Sequence, residues 1–506
     1  MRTRSRAVHF LLLALLACFI YVLIAGGFIF AHNPVEPMTE SEASSYRASL
    51  TRDVDSAEAK VALVEGNTFA GLARIDLLRR AQDTLEISSH QVTGGKGADV
   101  FFSEILAAAE RGVEVRIILD GLFAGLRRLA DGLEKAILAH PNIRIAFYEP
   151  LDLLRPWTIQ NRFHDKIIIV DGSILLTGGR NIGSRYFLYE LEENSAITPL
   201  RDRDVLVFGE GTMDPRHRHE KASADHLASI PVAVKEARDY FEQVWAHEWT
   251  QPQTGPEWDT NTAKESARHI RRSRDLVANV IESPATTVND EPRQLPVEWE
   301  KYAVTAETVR FFTNPLERMN KTPTVLRTLA AFLQAAEQEA LIQSPFFVTH
   351  PSMETILGNF PRDNQILLTN APATNPNWFA VSGYLNQRGL LAGRAGALYE
   401  YQGYDSIHAK AFLIDSRYSF IGAFNMDPRS AFLSTESMLF IESEVFGRKH
   451  KEAMHTLIGE SLAIVAGDGG LSAVPREGVT VSEAGILKRT ALQVMRVFAR
   501  PLAFLL

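Results

Sequence analysis

Two short stretches carry the residue types that chemistry needs. FHDKIIIVDG (163–172) sets His164 two residues before Lys166 and seven before Asp171, and SIHAKAFLIDSR (406–417) repeats the offsets with His408, Lys410 and Asp415. Period two in a strand puts each histidine and its lysine on one face. A buried strand has no use for either at its mouth, so a single copy reads as a solvent-facing strand end. The duplication changes that reading, because it extends past the turn. Gly178 and Gly422 each lie fourteen residues after their histidine, and Asn181 and Asn425 seventeen after. Two ammonium groups and two carboxamides make an anion clamp, and two imidazoles that titrate near neutrality can attack phosphorus and move protons. This is phosphodiester chemistry without need of a metal ion or organic cofactor.

Asp171 and Asp415 belong to the repeated set and count with it among the catalytic candidates, yet each directly follows its strand and has the position of a turn-shaping residue. An imidazole in such a site needs a carboxylate on its second ring nitrogen. Glu436 in STESMLFIES serves after the second motif. In RDRDVLVFG either Asp202 or Asp204 serves after the first, and laying the two segments side by side favours Asp202. Gly178, Gly179 and Gly422 let the backbone pass close to the site.

The elements that position these residues also repeat. Helical spacing over 72–81, a strand LEISS (85–89), a helix through Phe101–Glu110, and strands at 113–120 and 142–150 precede the first motif. A helix over 326–339 and strands at 340–348, 365–369 and 396–403 precede the second. Strands alternating with helices predict an α/β fold, each half a mixed sheet covered by helices on both faces. The expected organisation is a membrane anchor (1–31), a polar linker (32–58), a first domain (59–249), a connector rich in Pro, Thr and charge (250–305) with a short helix near 262–281, a second domain (306–455) and a C-terminal segment (456–506).

The 506 residues exceed what one core usually holds, and a net charge of −8 disfavours a surface that tracks a nucleic-acid backbone. One cysteine, Cys18, rules out internal disulfides. Arg2, Arg4 and Arg6 precede 21 uncharged residues, Phe10 to Phe30, and no Lys or Arg follows through residue 46. That pattern predicts a single transmembrane helix with a cytoplasmic N-terminus, in preference to a cleaved signal peptide. Near the other end, Leu487, Ala491, Val494, Met495 and Phe498 share one helical face opposite Arg489, Gln493, Arg496 and Arg500. Such a helix suits either an anionic membrane surface or docking on the domain. His217, His219 and His226 read as part of a solvated loop, and Trp378, Phe379 and Tyr384 as a packed helix face.

The two motifs together identify the chain as resembling the phospholipase D superfamily of the two-HKD type over roughly residues 60–450. FHDKIIIVDG…LLTGGRNIGSRYF resembles the bacterial cardiolipin synthases, in particular the membrane-anchored cardiolipin synthase C type. The resemblance implies two pseudo-twofold-related domains whose motifs share one cleft, with His164 as nucleophile, His408 as acid/base, and Lys166, Lys410, Asn181 and Asn425 on phosphate. It implies transfer of a phosphatidyl group through a phosphohistidine, making cardiolipin from phosphatidylglycerol and a second phospholipid, phosphatidylglycerol or phosphatidylethanolamine. The partners expected are membrane phospholipids at a bacterial inner membrane, with the domains outside the cytoplasm and no nucleic acid. Hydrolysis to phosphatidic acid, a nuclease, and an inactive lipid-binding protein are the alternatives. Ala423 departs from the family pattern, where a serine near that place is common.

Overall fold

The computed structural model describes residues 2–24, 34–52, 58–152, 155–192, 197–213, 230–282, 294–467 and 470–506. Two nine-stranded mixed sheets organise the chain. The first runs, edge to edge, Val304–Ala306, Ala59–Val64, Asp204–Gly209, Ile174–Gly178, Ile167–Val170, Thr84–Ser89, Glu114–Asp120, Ile143–Tyr148, Thr250–Pro252. The second runs Thr308–Thr313, Ser437–Glu442, Tyr418–Gly422, Lys410–Ile414, Ala340–Gln343, Gln365–Asn370, Ala397–Tyr401, Ser461–Gly467, Gly470–Val474. From Ala59–Val64 and from Thr308–Thr313 onward, the two orders match strand for strand. The duplication read in the motifs is a duplication of whole sheets.

Each motif forms the strand that its apolar run predicts, IIIV in the first and AFLI in the second. Ile167–Val170 and Lys410–Ile414 are buried throughout and lie at the centre of their sheets, each paired antiparallel with the strand after its turn. The sheets meet through these central strands. Ile167, Ile169, Leu175, Val205 and Val207 of the first share one hydrophobic core with Ala411, Ile421, Leu439 and Ile441 of the second. The helix Val232–Trp245 contributes Val234, Ala237 and Phe241 to the same core, and Glu444–Gly459 contributes Phe446. Outer faces are covered by Asn67–Arg80 and Lys96–Glu110 on the first sheet and by Thr324–Ala335 and Trp378–Arg394 on the second. The expected α/β architecture is the one observed.

Several expectations need correction. The strand read over 340–348 stops at Gln343, because Pro345 has no amide hydrogen to continue the ladder. The connector is not a loose link. Thr250–Pro252 and Val304–Ala306 are edge strands of the first sheet, and the helix Thr260–Glu282 spans 23 residues. Its polar face docks on the outer helical layer, with Ser266 donating to Glu110 at 3.1 Å and Ser273 to Glu104 at 3.1 Å. The polar linker likewise holds a helix, Glu40–Thr51, opened by a capping box in which Thr39 and Glu42 satisfy each other's amides. Leu50 buries into the second core.

The N-terminal helix Arg2–Ile24 contains 15 residues of the uncharged run, Phe10–Ile24. No helix among the described residues is long and apolar enough to cross a membrane, so the expected transmembrane anchor is not supported. Ala25–Phe30 lie outside the described residues, as do His217, His219 and His226. The C-terminal helix forms over Ile486–Ala499 and packs on Trp378–Arg394.

Candidate active site

Sheet register decides which carboxylates correspond. Gly178 pairs with Asp204 and Gly422 with Met438, so Asp202 and Glu436, two residues earlier in each strand's approach, are equivalents. Each then reaches across to the histidine of the other half. His164 Nδ1 lies 3.0 Å from Glu436 Oε2, and His408 Nδ1 lies 2.6 Å from Asp202 Oδ2. The backbone repeats the crossing. His164 N donates to Thr435 Oγ1 at 3.0 Å, and His408 N donates to the Arg201 carbonyl at 2.7 Å. A short parallel pair, Leu200–Arg201 with Ser406–Ile407, joins the halves beside His408. The two imidazoles are therefore held by the interface itself.

Asp204 does something else. It is buried and accepts from Arg74 at 2.9 Å and Arg180 at 3.0 Å, a structural ion pair behind the site. Asp171 and Asp415 do not enter the cleft either. Asp171 accepts from the amides of Gln82, Asp83 and Thr84, with 2.8 Å to Asp83, and Asp415 from those of Glu337, Gln338 and Glu339, with 2.8 Å to Gln338. Each sits at the far end of its strand with positive φ, 48° and 51°, in the two-residue turn that joins the central hairpin. Their inclusion among catalytic residues is corrected to a capping role that ties the hairpin to the neighbouring strand.

Glycine is required where the chain passes Asp202. A Cβ on Gly179 would stand 2.1 Å from Asp202 Oδ1, whereas the equivalent position in the second half is Ala423. The lysines are buried and each donates to the carbonyl of its own motif histidine. Asn181 is committed within the first half, accepting from Gln91 N at 3.3 Å and donating to the Tyr186 hydroxyl at 3.0 Å. Tyr186 in turn packs edge-on to His408 at 5.3 Å. Asn425 is only partly buried and lines a cavity of about 560 Å³ that also takes in His164, His90, Phe379, Leu505 and Leu506. Phe379 thus faces the cavity, while Tyr384 is buried with its hydroxyl on Glu400 at 2.6 Å.

Burial and crowded positive charge set the electrostatics. Burial lowers Lys166 to about 8 and Lys410 to about 7, against the pull of Glu436 and Asp202 respectively. His408 falls to about 4 through burial and then Lys410, with Asp202 opposing. Burial, followed by the charges of Lys166, His90, Lys410 and His408, holds His164 well below its ordinary value. The two carboxylates part company. Burial opposes the charge on Asp202, yet His408, Lys410 and Arg180 hold its carboxyl well below the usual range. Glu436 is pushed well above that range by burial, which Lys166 only partly offsets. Burial thus disfavours the positive charge of both lysines and both imidazoles, and a bound anion would restore it.

The family model described as "Cardiolipin synthase, PLD-like domain" matches residues 75–201 and 329–458. The chain belongs to this family. Each match contains the motif strand and its neighbours in one of the repeated sheets, and the family membership makes the protein a phospholipid-modifying enzyme of the phospholipase D, cardiolipin synthase-like class. Cardiolipin synthase C of Escherichia coli is 27% identical over 421 residues, covering 76% of this chain and 82% of that one. Cardiolipin synthase of Clostridium perfringens is 23% identical over 381 residues, 75% and 66% of the two chains. The fold is shared with the crystal structure of phosphatidylserine synthase from Haemophilus influenzae, at a TM-score of 0.56 and 12% identity over 92% of this chain and 100% of that one.

Sequence reasoning missed Thr435, Arg201, Tyr186 and His90, which surround the paired histidines. No spacing rule announces them, since each acts on a residue far away in the chain. For Thr435 a signal existed: it directly precedes the candidate Glu436.

Proposed function

We propose that this enzyme transfers a phosphatidyl group in two displacements on His164. The reading rests on one observation above the others, the reciprocal pairing in which each histidine's Nδ1 is held by the opposite half's carboxylate. The chemistry then falls to the two Nε2 atoms, that of His408 lying 3.2 Å from Lys410 Nζ. In the first step His164 Nε2 attacks phosphorus, the bond from phosphorus to the headgroup oxygen breaks, and His408 Nε2–H gives its proton to the departing alkoxide. In the second, His408 takes a proton from the acceptor hydroxyl, whose oxygen attacks phosphorus as the N–P bond breaks. His408 suits the proton work because ionised Asp202 stabilises its imidazolium. His164 suits attack because burial and the neighbouring charges disfavour its protonation and because it lines the cavity that Asn425 also lines. Lys166, Lys410 and Asn425 hold the phosphate oxygens, and the incoming anion raises both lysines and His408 toward their charged forms. Asn181 supports this site through Tyr186.

The acceptor in this reading is phosphatidylglycerol and the product cardiolipin, with phosphatidylglycerol or phosphatidylethanolamine as donor. The bilayer is met through apolar surface. Phe10, Leu13, Leu16, Phe19, Ile20 and Ile24 are among the exposed apolar side chains of the N-terminal helix, and Ile486, Leu487, Val494, Val497 and Phe498 are exposed along the C-terminal one. Phe19 and Phe498 meet edge-on at 6.5 Å, so the two helices form one apolar platform. The C-terminal helix docks on the domain by burying Leu492 and Ala499, with Lys488 donating to the carbonyl of Asn375 at 2.8 Å and Arg496 to Asn386 at 3.1 Å, while Arg489, Gln493 and Arg500 stay exposed. Its exposed apolar residues support the reading of a contact with a membrane surface. Incubating the purified protein with phosphatidylglycerol vesicles, with and without phosphatidylethanolamine, tests the function. Cardiolipin is the expected product. Phosphatidic acid alone would replace transfer by hydrolysis.

A further inference from the structure

His90 breaks the twofold likeness beside the paired histidines. Correspondence between the halves is firm here. Asp171 caps Gln82–Thr84 as Asp415 caps Glu337–Glu339, and Ser89 Oγ donates to the Gln91 carbonyl at 3.0 Å as Ser344 Oγ does to that of Phe346 at 2.8 Å. The residue between is His90 in the first half and Pro345 in the second. Proline offers a side chain with neither donor nor acceptor.

The tautomer of His90 follows from its partner. Its Nδ1 lies 2.6 Å from the carbonyl oxygen of Phe163, the residue just before His164. A carbonyl can only accept, so Nδ1 carries the proton and Nε2 of the neutral ring is an acceptor. Burial, then the charge of Lys166, keeps the ring neutral. It stands edge-on to His164 at 4.9 Å between ring centroids, with Phe123 also at 4.9 Å, and it lines the same cavity. Nε2 has no hydrogen bond to any described residue. A phosphate oxygen, being an acceptor itself, cannot satisfy it; an alcohol hydroxyl can.

We propose that His90 Nε2 accepts a hydrogen bond from a substrate hydroxyl neighbouring the reacting oxygen, so that the cavity selects polyol headgroups such as glycerol over simple alcohols. The inference rests on the transfer reading above and deepens it, making His90 a residue of acceptor specificity on one side only of an otherwise symmetric cleft. A site built to bind a hydroxyl discriminates against the analogue that lacks it, because its own acceptor is then left unpaired.

The test separates the two half-reactions. Phosphatidyl-p-nitrophenol in vesicles reports donor cleavage as nitrophenol release, while equimolar glycerol and 1-propanol compete as acceptors. The wild-type chain should favour phosphatidylglycerol over phosphatidylpropanol. His90→Leu should lower that ratio about tenfold, the worth of one neutral hydrogen bond, with nitrophenol release within about twofold of wild type. His90→Gln, whose Oε1 can accept, should keep most of the preference. An unchanged ratio in His90→Leu would overturn the proposal. So would a parallel loss of release and ratio, which would make His90 a support for His164. Wild-type protein that releases nitrophenol yet forms phosphatidic acid as its sole lipid product would instead refute the transfer reading beneath it.

Discussion

The two halves place a histidine, a lysine and a crossed carboxylate in the same positions, yet surround them differently. His408 meets the short side chain of Asp202 at 2.6 Å, with Gly179 stripped of a Cβ to make room. His164 meets the longer Glu436 at 3.0 Å, beside Ala423. Asp202 keeps its charge where Glu436 resists it. The strand before His164 is anchored by Asp120, which accepts from Phe163 N at 2.9 Å, and the strand before His408 by Asn370, which accepts from Ile407 N at 2.7 Å. Duplication supplied the geometry of a twofold clamp. Divergence in the neighbours assigned the two imidazoles different work.

Removing charge from each orienting carboxylate should separate those roles most sharply. Asp202→Asn should cut turnover by about 10³-fold, in the range seen when a histidine's charged partner is neutralised. Glu436→Gln should cost only about tenfold, because Gln resembles the weakly charged Glu436 already present. Equal losses measured in kcat would erase the asymmetry.

Next in size is the response of the clamp to pH. Ammonium groups carry charge below their pKa, so affinity for inorganic phosphate should weaken as pH rises through about 7 and then about 8, where Lys410 and Lys166 discharge. Isothermal titration calorimetry across that range checks it. Lys410→Arg, which stays charged, should remove the lower of the two transitions.

The smallest expected effect lies in the hairpin turns. Gly172 adopts φ 62° at no steric cost, whereas Ser416 holds φ 56° with a side chain that disfavours it. Ser416→Gly should therefore raise stability by about 0.5 kcal/mol, the relieved strain exceeding the entropy gained by the unfolded chain. Thermal unfolding should show a higher midpoint, and Gly172→Ser a lower one.

Much of this site could be read in the chain before any coordinates. The repeated histidine, lysine, glycine and asparagine offsets carry the duplication, and the apolar runs after each lysine place the central strands correctly. What escaped reading depends on distance across the fold. That Glu436 serves His164, and Asp202 serves His408, follows from two sheets abutting, which no local pattern contains. Asp202 and Asp204 differ by one strand alternation, so register was needed to separate the orienter from the partner of Arg74 and Arg180. Thr39 and Glu42 spell a capping box, and the linker helix was legible there. The cavity wall at Leu505 and Leu506 was not, because those residues reach His164 only after the C-terminal helix has docked on Trp378–Arg394.

The division of labour between His164 and His408 is tested most directly by trapping the covalent adduct. Donor phospholipid labelled in its phosphate should leave an acid-labile, alkali-stable phosphatidyl group on His164 after rapid quenching, accumulating in His408→Ala when the donor's leaving group needs no proton, as with phosphatidyl-p-nitrophenol. An adduct on His408 in His164→Ala, or none on either imidazole, would contradict the account.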